Sequence, residues 1–324
     1  MIPDSILQNK PALLELVRHG IGEQRTKNRQ TKFPVGVMGP NPLRRYFTRS
    51  LLNDSGHVMS NDEEFVDDAD DLSNVDHWEI YVSYIDDQPA VILVDLGIGE
   101  FAPLAEKPAL VWVWVQIPAP DEEGFPTEEE DMKLNDVEDL ITDAVEATTA
   151  RYVGRITSNG RREFYFYTDN PQEFRDAATA AMGSAPDYQF EIDAAEDPDW
   201  EHYFSVLMPS PEDSQQIQNQ HVIQHLFDSG DSLTEPRPVD HYLNFKTSED
   251  RQTFITEVLA LDFEVASQPE RGDESEFPFA LGLIRNHAVD VETVDDVTFE
   301  LFELAQQHQG EYEGWGSKVV KSKN

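Results

Sequence analysis

Cysteine is absent from all 324 residues of this chain. This absence excludes disulfide bonds, thiolate metal ligands and cysteine nucleophiles. Long apolar runs are also missing, because stretches such as ALVWVWVQI are far shorter than a membrane-spanning helix. No signal-peptide pattern opens the chain. Together these absences predict a soluble, cytoplasmic protein with no membrane partner.

Positive charge is scarce, with 24 Lys and Arg against 64 Asp and Glu and a net charge of -40. Phosphate binding needs a basic surface, so direct contact with nucleic acid is not predicted. Two explanations of the acidity stay open. Adaptation to a salty cytoplasm would acidify the whole surface, whereas a strong acidic field would steer a basic protein partner.

The charge is unevenly distributed along the chain. Residues 1–49 hold nine Lys or Arg and three Asp or Glu, and residues 50–76 hold nine acids and no base. We interpret 1–76 as a disordered basic arm and acidic linker; an arm that folds back on the acidic body is the alternative. Met59 begins MSNDEEF, which resembles an ordinary N-terminus, so residues 1–58 could lie upstream of the natural start.

Regular patterns begin at residue 77. HWEIYVSYID and PAVILVDLG predict a hairpin, and PALVWVWVQIP predicts a central strand covered on both faces, with Trp112 and Trp114 in the core. Residues 131–149 form an amphipathic pattern typical of a helix. Asn159-Gly160 indicates a second hairpin, and Asn170-Pro171 starts a second helix. DYQFEID and DWEHYFSVLMP are interpreted as strands.

Residues 109–193 thus read β-α-β-β-α-β, and 239–320 repeat that order after a leading helix that ends near Asp228. This is the split-βαβ, ferredoxin-like order. The predicted fold class is α+β: two tandem ferredoxin-like domains with antiparallel sheets, at 77–209 and 210–324. The proline-rich step MPSPEDS marks the boundary between them.

No residue pattern identifies a catalytic, metal or cofactor site. His221 and His225 have the spacing at which two imidazoles share a metal, but HVIQH lacks the glutamate of a metalloprotease helix and no third ligand is indicated. A polar helix face is the preferred interpretation. On the second hairpin, Arg155 and Arg162 are candidate contacts for an anion, and a sheet exterior that balances acidic neighbours is the alternative.

The closing segment EYEGWGSKVV resembles the end of the regulator of ribonuclease E activity B (RraB) family. The matching residues are Tyr312, Glu313, Gly314, Trp315 and Gly316. The resemblance extends over about 211–320 and includes the leading helix and the segment SEDRQTFITEVLALDFEV. By element order, EYEGWGSKVV is the last strand of its sheet. Strict alternation would place Trp315 on one face with Glu313, and Tyr312 on the other with Gly314.

Residues 77–209 resemble an uncharacterised family, domain of unknown function 695. The matching residues lie in the first hairpin, the second hairpin and the last predicted strand. They are Trp78, Tyr81, Pro89, Ala90, Asp95, Gly154, Arg155, Gly160, Arg162, Phe164, Tyr165, Trp200 and Tyr203. This family carries no known activity.

The RraB resemblance implies a non-catalytic regulatory protein. Such a protein binds and inhibits or modulates endoribonuclease E, without cofactors and without RNA contact of its own. Because this chain carries an extra domain and an extension, its protein partner could be another basic protein. The alternative is an enzyme, or a binder of a small molecule or anion, that uses the arginine hairpin of the first domain. A salt-adapted homologue without the regulatory contact is a third hypothesis, and the oligomeric state stays open.

Overall fold

The computed structural model describes residues 77–272 and 275–321. The predicted arm and linker at 1–76 therefore lie outside the described residues. The chain divides into two compact units between Pro209 and Ser210. Both units are α+β and each contains one antiparallel sheet, as the sequence predicts. Among the described residues, no helix is both long and apolar enough to cross a membrane.

Within residues 77–209, the first unit contains six strands and two long helices. In chain order they are β1 (Trp78–Ile85), β2 (Gln88–Asp95), β3 (Ala109–Gln116), α1 (Glu128–Val145), β4 (Arg151–Ser158), β5 (Arg161–Thr168), α2 (Pro171–Met182) and β6 (Phe190–Glu196). The sheet order is β1-β2-β4-β5-β3-β6. The four strands from β3 to β6 carry the predicted β-α-β-β-α-β order, and the β1–β2 hairpin extends their sheet beside β4.

Local sequence signals explain several of these elements. Asn159 and Gly160 turn between β4 and β5 with φ angles of 48° and 75°, the backbone conformation that favours Asn-Gly in tight hairpins. Asn170 caps α2 by accepting the Glu173 amide at 3.3 Å, and Pro171 occupies the first helical position. Both the second hairpin and the second helix are thus confirmed.

One face of the first sheet packs against α1 and α2. Val111, Val113 and Val115 of β3 meet Leu134 and Ile141 of α1 in a core that excludes solvent. The opposite face is also covered over much of its area. Trp200 stacks on Tyr167 of β5 with ring centroids 3.9 Å apart, and the Tyr81 hydroxyl donates to the Leu207 carbonyl at 2.8 Å.

Two expectations about this second face were wrong. DWEHYFSVLMP does not form a strand: Tyr203–Leu207 is a short π-helix. In the segment DWEHYFSVLMP, the buried residues Trp200, Tyr203 and Leu207 are spaced three and four apart. This spacing is a helical period and not the alternation of a strand. Trp112 and Trp114 lie on the central strand β3 but are only half-buried, so they are not part of the core.

The second unit consists of three helices and a four-stranded sheet. In chain order the elements are α3 (Pro211–Asp228), β7 (Arg237–Phe245), α4 (Ser248–Val258), β8 (Glu264–Ser267), β9 (Phe279–His287), α5 (Val291–Gln307) and β10 (Gly310–Ser317). The sheet order is β10-β7-β9-β8, with every pair antiparallel. Counted from its first strand, the order 4-1-3-2 is also that of β3 to β6 in the first unit.

The helices of the second unit lie on one face of its sheet. Leu243 of β7, Leu283 of β9 and Tyr312 of β10 point into a core with Phe254 of α4 and Leu301 of α5. Alternation along β7 places Tyr242 on the other face, where it is 48% exposed. The helix face is therefore filled, and the other face of this sheet is open around Tyr242.

Candidate functional site

The sequence-predicted interaction residues lie on β10, the edge strand that closes the second sheet. Tyr312 pairs with Leu243, whereas Gly314 pairs with the preceding residue of β7, Tyr242. Glu313 is thus the extra residue of a β-bulge, and Gly314 has a φ of 140°, which favours glycine. Because the bulge shifts the alternation by one residue, Tyr312 and Trp315 lie on the same face. The predicted strict alternation was wrong at this point.

Trp315 is 7% exposed and packs among side chains of α3, β7 and α5. Its indole Nε1 donates to Asn219 Oδ1 at 2.9 Å. The Asn219 amide donates in turn to Asp295 Oδ1 at 2.9 Å and to Thr298 Oγ1 at 2.7 Å. The tryptophan thereby joins the leading helix to the last strand through a buried amide whose two ends are satisfied.

Tyr312 opens a buried chain of three side chains. Its hydroxyl lies 2.9 Å from His241 Nδ1, His241 Nε2 lies 3.2 Å from His287 Nε2, and His287 Nδ1 lies 2.6 Å from the Ala288 carbonyl oxygen. A carbonyl only accepts, so His287 Nδ1 carries a proton and a neutral His287 accepts at Nε2. His241 then donates from Nε2 and accepts the Tyr312 hydroxyl proton at Nδ1.

This direction of donation requires that both imidazoles stay neutral. Burial, with the nearby His287 and Arg285, lowers the pKa of His241 to about 3. Burial also lowers the pKa of His287, and it raises the pKa of the Tyr312 hydroxyl far above its usual range. None of the three groups is poised for proton transfer near neutral pH, so the chain acts as a structural network.

The Glu313 carboxylate forms a two-point ion pair with the Arg271 guanidinium at 3.1 and 2.9 Å. Arg271 lies beside the start of β9, where its amide donates to the Pro278 carbonyl. The pair therefore joins the β8–β9 connection to β10 across the strand between them. Of the family-motif residues, Tyr312 and Trp315 serve the core, and Glu313 holds a connection over the sheet.

Arg155 and Arg162, the candidate anion contacts, are only 2% and 1% exposed. Arg162 pairs with Asp131 of α1 at 2.5 Å and donates to Thr157 at 2.8 Å. Arg155 pairs with Glu138 of the same helix. These arginines do balance acidic neighbours, but they do so between the sheet and α1 rather than on a sheet exterior. Burial lowers the pKa of Arg155, which is the cost of placing a cation there.

A pocket that would suit the anion hypothesis needs both arginines in its wall. A cleft of about 460 Å³ lies between α1 and the turn after α2, lined in part by Glu130, Lys133 and Tyr188. Neither Arg155 nor Arg162 lines it. Their contact with an outside anion stays a hypothesis, which their burial disfavours.

His221 and His225 both lie exposed on α3. Within 77–272 and 275–321, no group of three or more His, Asp or Glu side chains is arranged to hold a metal ion. The pair is thus placed on a helix surface, in agreement with the polar-face interpretation.

Sequence reasoning missed the open part of the second sheet. We call it the Tyr242 face. Strand pairing places its residues side by side on one face of the sheet: Asp240 and Tyr242 of β7, Ile284 of β9, Glu264 of β8, and Gly314 and Gly316 of β10. The available signal was the alternation in VDHYLNF, which separates the buried Val239, His241 and Leu243 from Tyr242.

Comparison with known families confirms both resemblances. Residues 76–208 match the model of a family of unknown function, DUF695, and residues 216–317 match the model of Regulator of ribonuclease activity B. Two curated relatives, from Shewanella amazonensis and Shewanella denitrificans, are also named Regulator of ribonuclease activity B. Each is 26% identical over 105 residues, which cover 32% of this chain and 74% or 81% of the relative.

Solved structures add little. An unknown protein from Galdieria sulphuraria matches 64% of this chain and 96% of its own, at 12% identity and a TM-score of 0.18. A putative glycine cleavage system transcriptional repressor matches 65% and 98%, at 12% identity and a TM-score of 0.19. Superpositions this poor support no argument about fold or function.

Proposed function

We propose that this chain is a non-catalytic, cytoplasmic regulator that binds an RNA-degrading enzyme of the ribonuclease E type and inhibits or modulates it. The match of residues 216–317 to Regulator of ribonuclease activity B carries the proposal. The matched segment covers most of one compact unit, 210–324, including the strand that seats Trp315. Recognition through that unit is the function that the family likeness and the fold support together.

The charge distribution supports a basic protein partner. Nine arginines lie in the described residues, and each forms an ion pair with a carboxylate of this chain. Their charge is thus offset locally, and the 64 Asp and Glu of the chain far outnumber its 24 Lys and Arg. Such a surface attracts cationic protein segments and repels phosphate.

The non-catalytic part of the proposal rests on how the buried polar groups are used. His241 is hydrogen-bonded to His287 and to Tyr312. The hairpin arginines Arg155 and Arg162 form ion pairs with Glu138 and Asp131. An activated nucleophile or base would instead be poised near neutral pH and open to a substrate.

Binding and cleavage measurements with purified proteins test the proposal. Endoribonuclease E from the organism that encodes this chain is titrated with the full chain at low and at physiological salt, and cleavage of a labelled RNA is followed. We expect complex formation that weakens as salt rises, together with altered cleavage. RNA mixed with the chain alone is the control and should show no binding. Absence of a complex at low salt, where steering is strongest, would refute the ribonuclease assignment.

A variant series separates electrostatic recognition from adaptation to salt. Exposed acids of the second unit, such as Glu264 and Glu303, are exchanged for glutamine in groups. If the acidity serves recognition, one group weakens the complex far more than the others. If every group leaves the affinity unchanged, the acidity does not serve binding, and the hypothesis of a salt-adapted homologue gains.

A further inference from the structure

We propose that the Tyr242 face docks a basic segment of the partner protein, with an arginine side chain lying over the Tyr242 ring. The inference deepens the proposed function and rests on it in one respect, because the segment would belong to the regulated enzyme. The surface itself is argued from the second unit alone.

The surface beside the Tyr242 ring carries little side-chain bulk on the β10 side. Gly314 of β10 and Gly282 of β9 are its direct partners on the two flanking strands. The space above Gly314 is open, whereas the Ser267 side chain of β8 lies over Gly282, with its hydroxyl 2.5 Å from where a Cβ of Gly282 would stand. The space above Gly316, one row further along β10, is also open. A Cβ added at Gly316 or at Gly314 would meet no atom within 4 Å. An extended segment could therefore approach the ring and the backbone of β10 closely.

The negative charge of this face comes from the neighbouring row of paired residues. Asp240 of β7 and the exposed Glu264 of β8 flank the half-buried Ile284. Neither carboxylate is offset by a cation in the described residues. The Asp240 charge acts on the Tyr242 hydroxyl. An acid near an exposed tyrosine suits a guanidinium, which stacks on an aromatic face and donates to a carboxylate at the same time. Ile284 offers an apolar contact to the neighbouring residue of the segment.

The same electrostatics disfavour two other occupants. The carboxylates of Asp240, near the ring, and of Glu264, two strands away, would repel the phosphates of a nucleic acid. A second copy of this chain would bring another net charge of -40 to an already acidic rim. A cationic protein segment is the partner whose charge complements the surface.

The open area is limited to one end of the sheet face. At the other end, Asn244 and Ala280 lie on the same face but are buried. The β8–β9 connection lies there: Pro269 accepts the Ala280 amide, and Arg271 reaches Glu313. Exposure on this face is thus local: the face is buried at Asn244 and Ala280, and Tyr242 is 48% exposed.

Peptide binding to the full chain tests the surface directly. The probe is a fluorescent peptide that alternates arginine and leucine, and binding is read by anisotropy at fixed salt. Tyr242→Ala is expected to lower its affinity about tenfold. Asp240→Asn with Glu264→Gln should lower it further. The matched control, Asp296→Asn with Glu303→Gln, removes the same charges from exposed positions on α5 and should leave the affinity unchanged.

A third variant places a side chain on the open surface at Gly316 and leaves Tyr242 unchanged. Gly316→Arg places a long cation where an added Cβ meets no atom within 4 Å, so the fold should be kept while the basic peptide is excluded. Thermal unfolding of each variant checks that the fold is intact. If the peptide binds Tyr242→Ala and Gly316→Arg as tightly as the original chain, the inference is overturned.

The same variants, tested against the ribonuclease, separate this inference from the proposed function. If the enzyme binds all of them equally, the regulator assignment stands, and the inference that the Tyr242 face is the docking surface is wrong. If the enzyme does not bind at all but the peptide binds in a Tyr242-dependent way, the surface stands and the assigned partner is wrong. A photoreactive phenylalanine analogue at position 242 identifies the occupant: a cross-link to a basic segment of the enzyme supports the proposal. Cross-links confined to RNA, to a second copy or to this chain's own residues 1–49 would overturn it.

Discussion

The two units share a strand order but differ in what lies on the second face of the sheet. In the first unit, Trp200 and Tyr203 fold back over that face and bury Tyr167. In the second unit, the corresponding face is buried at Asn244 and Ala280, but Tyr242 is 48% exposed. Connectivity alone therefore does not indicate where a partner binds. The segments that cover a sheet, or leave it bare, decide which face is available.

The interiors differ as well. The first unit buries charges, with Arg155 and Arg162 paired to acids of α1. The second unit also buries an ion pair, Arg237 with Asp231, but its core adds a neutral network in which His241 and His287 bond to each other and to Tyr312. Buried ion pairs have to offset a desolvation cost, whereas neutral networks avoid it but depend on protonation state. The two units should therefore respond differently to substitution and to pH.

The largest effect is expected at Trp315. Trp315→Ala removes a buried indole from the contact of α3, β7 and α5 and should cost the second unit about 3–5 kcal/mol of unfolding free energy. The first unit should keep its own transition. Urea unfolding followed by hydrogen exchange of each unit measures this. Trp315→Phe, which keeps the packing and loses the bond to Asn219, should cost about 1–2 kcal/mol.

A folded Trp315→Ala protein that has lost ribonuclease binding would show that the indole contacts the partner directly. A simultaneous loss of both transitions would show that the units do not unfold independently, which would remove the basis of the comparison.

Acidification should weaken the second unit more than the first. The folded pKa of His241 is about 3, whereas an unfolded histidine titrates near 6.5. Between these values the unfolded chain binds a proton that the folded chain does not, so stability is present at neutral pH and falls as the pH falls. His287 shifts in the same direction, and the first unit has one comparable histidine, His202.

The loss should approach about 1.4 kcal/mol per pH unit for His241, and His287 should add to it in the same direction. Unfolding free energies between pH 7 and 5 measure it, in a window above the titration of most carboxylates. His241→Gln keeps a donor and an acceptor but does not titrate, and it should flatten the slope for the second unit only. An unchanged slope would mean that the buried histidines do not control the pH response.

The smallest effect is expected from alanine substitutions at two glycines, Gly154 in the first unit and Gly316 in the second. Gly154→Ala in the first unit would bring a Cβ within 2.4 Å of the Leu93 carbonyl oxygen, at a φ of 155°, and should cost about 1–3 kcal/mol. Gly316→Ala, on the open face, should change stability by no more than about 0.5 kcal/mol. Thermal denaturation of the two variants measures the contrast. Equal costs would contradict the difference in space between Gly154, which is packed against β2, and Gly316 on the open face.

Much of the fold follows from local signals. The Asn159-Gly160 turn and the Asn170 cap depend on neighbours within a few residues, and so does the stripe of α1, which is why they could be read in advance. The candidate site was less accessible. Glu313 looks like any strand residue until β7 is beside it, because a bulge is a property of two strands and not of one.

The sequence by itself determined the α+β class, the order of the elements, the acidity and the family likeness of both segments, since each depends on composition or on short-range pattern. Tertiary structure alone decided that the hairpin arginines are buried, that Tyr312 and Trp315 share a face, and that Tyr242 is exposed. Burial, pairing register and the covering of a sheet depend on residues distant in the chain, and no local pattern specifies where those residues will lie.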